Sequence, residues 1–313
     1  MALIPPLSLS GTFLQPYLGG NWSEKQWDDE YMYMKDIGMH QLILQWSADS
    51  QHYTAAYPTS LPGFKHQTKV DVVEQALLRG DRFGFEIYVG LHLNHDWFGK
   101  YTSDPAWLDH EADLASALAR DLWDKYGHYA SFTGWYLSFE PDNVNQPQES
   151  DWDQSISFYR KVGGVIKSLT PDKPIMVAPF FVDGVGQTPK QWGTMWSYIL
   201  ARSPIDIVNL QDGVGAAHSL PEHLPAWFSA TKEALERLDR PVALWSDTET
   251  FRTVNGKFAP VEFAPVHACM ELVAPFISNF TCFSFNHYVS PQQVDPKYYE
   301  TYKQALSNGR RIS

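Results

Sequence analysis

An α/β fold built as one (β/α)8 barrel, the TIM-barrel architecture, is predicted by three features of the sequence. Strand-like and helix-like segments alternate from end to end, eight of each. The 313 residues suit one such barrel over 1–313 with long loops at one face. Two acidic residues, Glu140 and Glu249, close apolar strand-like runs, FTGWYLSFE and PVALWSDTE. A charge beside a core needs a partner, a wet cleft or a chemical role.

The predicted strands are Leu7 to Gln15, Gln41 to Trp46, Phe85 to Leu93, Phe132 to Glu140, Pro174 to Phe181, Ile205 to Gln211, Pro241 to Glu249 and Asn279 to Tyr288. Helices follow from apolar residues recurring every three or four positions: Ser23 to Asp36, Val70 to Arg79, Asp109 to Lys125, Ser155 to Lys167, Pro189 to Ala201, His223 to Arg237 and Pro296 to Leu306. A seventh in chain order, Pro260 to Val273, is interrupted by Pro265. Gly38 and Gly84 end helices, whereas Pro174 and Pro241 open strands. The longest insertions follow strands two, four and seven, on the C-terminal face where barrels of this kind keep their sites.

Composition narrows the function. The net charge of -12, from 24 Lys plus Arg against 36 Asp plus Glu, repels nucleic-acid backbones and anionic membranes. No segment is apolar enough for a bilayer span, and no signal peptide is visible, which predicts a chain that is cytoplasmic as written or exported with its leader removed. The two cysteines, Cys269 and Cys282, have no metal-type spacing and are expected as buried thiols. Aromatic residues make up 15% of the chain, and flat rings suit the apolar faces of sugars.

Side chains alternate between barrel interior and helix layer. In strand three, Ile87, Val89, Leu91 and Leu93 should face the helices, leaving Tyr88, Gly90, His92, Asn94 and Asp96 inward. Strand four directs Gly134, Tyr136, Ser138 and Glu140 inward, and strand seven directs Ala243, Trp245, Asp247 and Glu249. Gln15, Gln45, Asn209, Gln211, Ser284, Asn286 and Tyr288 extend the same ring on the remaining strands. Polar groups confined to strand ends predict a polyhydroxylated ligand, and the scarcity of cations disfavours a phosphorylated one. Trp22, Trp46, Trp97 and Trp245, with Tyr17 and Tyr288, are the aromatics nearest the predicted mouth, about half of them expected as stacking platforms and the rest as packing.

Glu140 reads as a general acid or acid/base, against the plainer alternative of a strand-end ion pair. Glu249 reads as nucleophile or base, with Asp247 as competitor or hydrogen-bonding support. Asp212, in the turn Gln211-Asp212-Gly213, is either a third carboxylate in the mouth or a local Asp-Gly turn. His92 and His95 have opposite parity, so a metal centre is not predicted and no cofactor is implied. The expected partner is an oligo- or polysaccharide, with Gln15, Gln45, Trp46, His92, Asn94, Asp96, Tyr136, Gln211, Asp212, Trp245, Asp247, Asn286 and Tyr288 around it. Two alternatives stand beside hydrolysis: a carbohydrate-binding barrel without chemistry, and a metal-dependent barrel hydrolase using His92, Asp96 and a later acid.

The run SGTFLQPY, the strand LILQW, the segment GWYLSFEPDN, the turn NLQDGVG and the strand LWSDTETF together resemble a bacterial domain-of-unknown-function family, number 4434, of glycoside-hydrolase-like TIM barrels. The architecture is also similar to the cellulase-like clan A of retaining glycosidases. That resemblance implies an acid/base role for Glu140 and a nucleophile role for Glu249. Clan members usually carry Asn immediately before the strand-four Glu; here the position is Phe139. With both Asp247 and Glu249 on strand seven, retaining and inverting mechanisms both stay open.

Overall fold

In the computed structural model, residues 7–101 and 103–309 are described. Eight parallel strands close into a barrel: β1 (Gly11–Leu14), β2 (Gln41–Leu44), β3 (Glu86–Gly90), β4 (Phe132–Leu137), β5 (Ile175–Val177), β6 (Ile207–Gln211), β7 (Ala243–Glu249) and β8 (Asn279–Phe283). Each strand pairs with its neighbours in chain order, and β8 pairs back onto β1 at Gly11 and Thr281. Closure removes every sheet edge from the barrel wall.

The surrounding helices are α1 (Glu24–Asp36), α2 (Val72–Phe83), α3 (Pro105–Tyr126), α4 (Glu149–Leu169), α5 (Pro189–Leu200), α6 (Leu224–Glu236), α7 (Phe263–Val273) and α8 (Lys297–Gly309). Local chemistry sets their ends. Ser23 and Gln26 form a capping box at α1, Thr188 and Gln191 another at α5, and Asp71 caps α2. Gly84, at φ +77°, closes α2 in the left-handed conformation. Pro265 lies in the first turn of α7, where a missing backbone N–H costs nothing, so the helix runs through it.

Two apolar layers follow from strand alternation. Phe13, Ile43, Tyr88, Tyr136, Met176, Ile207 and Trp245 fill the barrel interior. Ile87, Val89, Trp135, Val208 and Leu244 pack outward against the helices. The interior is a packed plug, so only the C-terminal mouth is left to bind anything.

Several strands end earlier than alternation alone predicts, and at β3 and β8 the chain then changes course. After Gly90 the chain leaves the barrel: a Cβ there would lie 2.3 Å from the Leu44 carbonyl oxygen. His92–Leu93 then joins a separate small sheet, ordered Lys65–His66, Thr54–Ala55, Ala48–Asp49, His92–Leu93. After Phe283 the chain turns into a single helical turn, Phe285–Tyr288, capped by the Ser284 hydroxyl accepting from the His287 N–H. The inward sets predicted beyond Gly90 and Phe283 are displaced accordingly. The insertion after β7 is a hairpin, Phe251–Val254 against Lys257–Pro260. Among the described residues no helix is long and apolar enough to cross a membrane.

Candidate active site

A cavity of about 290 Å³ opens at the C-terminal ends of the strands. Glu140, Asp247 and Glu249 line it together with Gln45, Gln211 and His218. Its apolar walls are Phe13, Phe98, Phe180, Phe251, Phe258 and Phe283, with Ala216. Three carboxyls converge on it, and among the described residues no Lys or Arg lines it.

Each acid is held by its strand. Ser138, just past β4, donates to the Gln45 carbonyl at 2.6 Å. Phe139 stacks outward on Trp97 at 4.5 Å and Phe158 at 5.4 Å. Strand-like alternation therefore turns Glu140 to the cavity. Phe139 is thus a core anchor, and the position that carries Asn in the clan presents no side chain to the site. Gln211 and Gln45, which line the same cavity, instead favour the charged form of Glu140.

On β7, Asp247 and Glu249 share one face, and Asp247 lies in register with Gln211 of β6. The Ala216 N–H donates to Glu249 Oε2 at 2.7 Å, and the Glu249 N–H donates to Asp212 Oδ2 at 3.3 Å. The loop after β6 can approach this closely because residue 215 is glycine: a Cβ there would meet the Phe251 carbonyl oxygen at 2.3 Å and Glu249 Oε2 at 3.0 Å. Asp212 serves both its turn and its neighbour strand, since Oδ1 accepts from the Val214 N–H at 3.1 Å.

Burial in a site without cations pushes these acids up. Desolvation raises Glu140 to about 7, against the pull of Gln211 and Gln45. Desolvation and then the charge of Asp212 raise Glu249 to about 8, opposed by N–H groups of Ala216 and Gly215. Asp212 rises to about 7 through burial, opposed by the N–H groups of Val214 and Glu249. Asp247 is driven well above the carboxylate range by burial and by Glu249, Asp212 and Glu140. Near neutral pH this cluster holds protons and negative charge together, the condition for one acid and one base side by side. Asp247 Oδ1 and Gln45 Oε1 are buried without a hydrogen-bond partner, two polar atoms that a bound hydroxyl would satisfy.

The remaining predicted residues are distributed around this centre. Tyr136 and Trp245 lie in the barrel interior, against Phe13 at 5.2 Å and Tyr88 at 5.9 Å. Tyr288 stacks at 5.1 Å on Phe251, which lines the cavity. Gln15 accepts from the Tyr17 hydroxyl at 2.6 Å, and Trp46 faces Tyr17 at 6.4 Å in an adjoining pocket. Trp22 and Trp97 are core residues, packed on Trp27 and Phe139.

His92, Asn94, Asp96 and Asn286 are the residues placed elsewhere, all beyond the points where β3 and β8 end. His92 meets Glu111 of α3 at 2.8 Å, and Asn94 donates to Glu111 and Ser50. Asp96 pairs with Lys100 at 2.7 Å. Asn286 lies beneath α1, donating to Glu30 at 2.7 Å. The His92 and Asp96 of a metal-dependent reading are thus turned away from the cavity, and among the described residues no group of three or more His, Cys, Asp or Glu is arranged to hold a metal.

Sequence reasoning missed His218 and the phenylalanine walls. One signal was present: Asn255-Gly256, at φ +50° and +73°, is a type I′ hairpin dipeptide between FRTV and KFAP. That hairpin carries Phe251 and Phe258 to the cavity.

The sequence profile of a domain of unknown function, DUF4434, matches residues 9–295, and the chain belongs to that family. Comparison with curated protein sequences finds no match. Among solved structures, a candidate alpha-L-fucosidase from Bacteroides thetaiotaomicron VPI-5482 is similar, with a TM-score of 0.82 and 23% identity over 98% of this chain and 96% of that one. The endo-1,4-beta-D-mannanase of Thermotoga petrophila RKU-1 superposes with a TM-score of 0.64 at 13% identity, covering 96% and 99% of the two chains. The intracellular xylanase TsXylA of Thermoanaerobacterium saccharolyticum JW/SL-YS485 gives a TM-score of 0.52 at 12% identity over 90% and 89%. At these identities the likeness is one of fold alone, a TIM barrel.

Proposed function

We propose that this DUF4434 protein is a glycoside hydrolase, its barrel a single catalytic domain that cleaves an oligo- or polysaccharide with carboxylates and no metal. The observation that carries the reading is the convergence of Glu140, Asp247 and Glu249 on one uncharged-walled cavity at the strand ends. Kinship of fold with a mannanase and a xylanase supports the substrate class.

In this reading Glu140, raised to about 7, is protonated over much of the neutral range and gives its proton to the glycosidic oxygen as the C–O bond breaks. Burial and the charge of Asp212 raise Glu249 to about 8, above Glu140, so its role as the anion requires the cluster's protons to sit on Asp212 and Asp247, a state that the Ala216 N–H to Oε2 favours. Glu249 attacks the anomeric carbon or takes a proton from the attacking water. In the first case water cleaves the glycosyl ester on Glu249 and gives its proton to Glu140; in the second the proton taken by Glu249 passes to solvent and Glu140 is reprotonated from solvent. Asp247, the most strongly disfavoured as an anion, holds a proton and donates to a sugar hydroxyl. Gln45 and Gln211 take the orienting role that Asn plays in the clan.

A non-catalytic carbohydrate-binding barrel is the second reading, favoured by Phe139 at the clan's Asn position. Release of reducing ends from a panel of bacterial and plant polysaccharides, by the wild type and by Glu140→Gln and Glu249→Gln, separates the two. Hydrolysis should fall about 10³-fold or more in each variant. Retained glycan binding with no release from any member would favour the binding barrel, and undiminished release in both variants would mean that other groups do the chemistry.

A further inference from the structure

A second pocket, of about 260 Å³, lies beside the carboxylate cavity. It is built by the segment after β1, the start of the long insertion after β2, and the small outer sheet. Tyr17, 59% exposed, and Trp46 form an aromatic edge with ring centroids 6.4 Å apart and an angle of 36° between planes. Facing them are Asn21, Gln67 and Thr68, with Asp49 as the sole charged side chain of the lining.

The two cavities share no lining residue but are linked through neighbouring side chains. Gln45 lines the first and its chain neighbour Trp46 the second, as alternation at the end of β2 requires. The Tyr17 hydroxyl lies 3.2 Å from His287 Nε2, and the His287 ring stacks on Phe283 at 5.9 Å and 14°. Phe283 is a wall of the carboxylate cavity. A continuous aromatic path thus runs from the acids to Trp46.

We propose that this second pocket is a remote sugar subsite, with Tyr17 and Trp46 as stacking platforms, so that the protein acts on chains long enough to reach it rather than on a terminal mono- or disaccharide. The proposal rests on the hydrolase reading above for its kinetic consequence. Aromatic faces with neutral amide and hydroxyl partners are the chemistry of a pyranose ring. The acidic side chain Asp49 meets His52 Nδ1 at 2.7 Å, and among the described lining residues there is no Lys or Arg to hold a carboxylate, which disfavours a uronic-acid unit, so the occupant is a neutral sugar. Binding energy collected there would assist bond cleavage at the acids, which makes the rate sensitive to chain length.

The test uses xylo-, manno- and cello-oligosaccharide ladders of two to six units with the full chain. For the series that is cleaved, kcat/KM should rise about tenfold or more as the chain lengthens to reach the second pocket. Trp46→Ala and Tyr17→Ala should flatten that rise, lowering the long-to-short rate ratio by about tenfold, and Trp46→Phe should restore part of it. A length dependence that persists in both alanine variants, or no length dependence at all, overturns the subsite. Electrophoresis through gels containing xylan, mannan or a mixed β-glucan supplies a readout independent of turnover. Retardation kept by Glu140→Gln and lost by Trp46→Ala supports the subsite even if hydrolysis fails. Retardation of neither, or of both equally, counts against it.

Discussion

Two buried acidic clusters sit within one barrel, and they have opposite electrostatic states. Beneath the insertion after β2, Glu111 accepts from Ser50 at 2.6 Å and from Asn94 at 3.1 Å, and lies 2.8 Å from His92 Nε2. Burial would raise its pKa, but His92 and Ser50 more than offset that and hold it below the ordinary range. At the mouth, Glu140, Asp247, Glu249 and Asp212 are all raised, with burial the leading cause. The lesson is that a buried carboxylate stays ionised when cationic and hydroxyl neighbours complete it and is pushed toward protonation when they do not. His92 and Glu111 tie α3 to the outer sheet; Asp247 Oδ1 faces the cavity lining with no partner.

Breaking each cluster should therefore read out differently. The largest effect expected is on turnover: Glu140→Gln lowers kcat/KM about 10³-fold, whereas Glu111→Gln changes it mainly as far as folding suffers. Steady-state kinetics on the cleaved glycan compares the two. An equal loss in both would dissolve the distinction.

Next is stability at the sealed cluster. Glu111→Ala leaves His92, Ser50 and Asn94 without their shared acceptor and should cost roughly 3 kcal/mol in denaturant unfolding at pH 7. Because the Glu111 pKa is lowered in the fold, its contribution is present above the unfolded carboxylate range and is lost as pH falls through the folded value.

The mouth should behave with the opposite sign. Glu140 moves from 4.5 to about 7 on folding, so the wild type loses stability as pH rises between those values. Glu140→Gln, which cannot ionise, should be more stable than the wild type at pH 8 by on the order of 2 kcal/mol, and equal to it near pH 4. Unfolding curves at the two pH values check this; a variant less stable at pH 8 would show that the acid is not strained by its burial.

The smallest effect is a shift in a profile. With Glu140 as general acid, kcat/KM should decline as pH rises above about 7. Asp247→Asn removes an acid that Glu249, Asp212 and Glu140 raise and that is thereby coupled to them, and should shift the coupled limbs of the profile by less than about one pH unit. An unmoved profile would place Asp247 outside the proton network.

Alternation with a period of two determined much of this in the sequence alone. The eight strands, the outward set Ile87, Val89 and Leu244, and the interior set Tyr88, Tyr136 and Trp245 followed from it, because a closed barrel must bury one face on helices and the other on itself. Glu140, Asp247, Glu249, Gln45 and Gln211 were legible as one group for the same reason, and they meet at one cavity. What only the tertiary structure decided lies past the strand ends. Periodicity carries no information once backbone pairing stops. A glycine at 90 packed against the Leu44 carbonyl diverted His92 and Asn94 to α3, and a helical turn after Phe283 sent Asn286 to Glu30. The phenylalanine walls, the Gly215 approach to Glu249 and the ring contacts from Phe283 through His287 and Tyr17 to Trp46 arise where separate loops fold over one another. Contacts between segments far apart in the chain depend on how those loops pack, and no short-range pattern in the sequence records that.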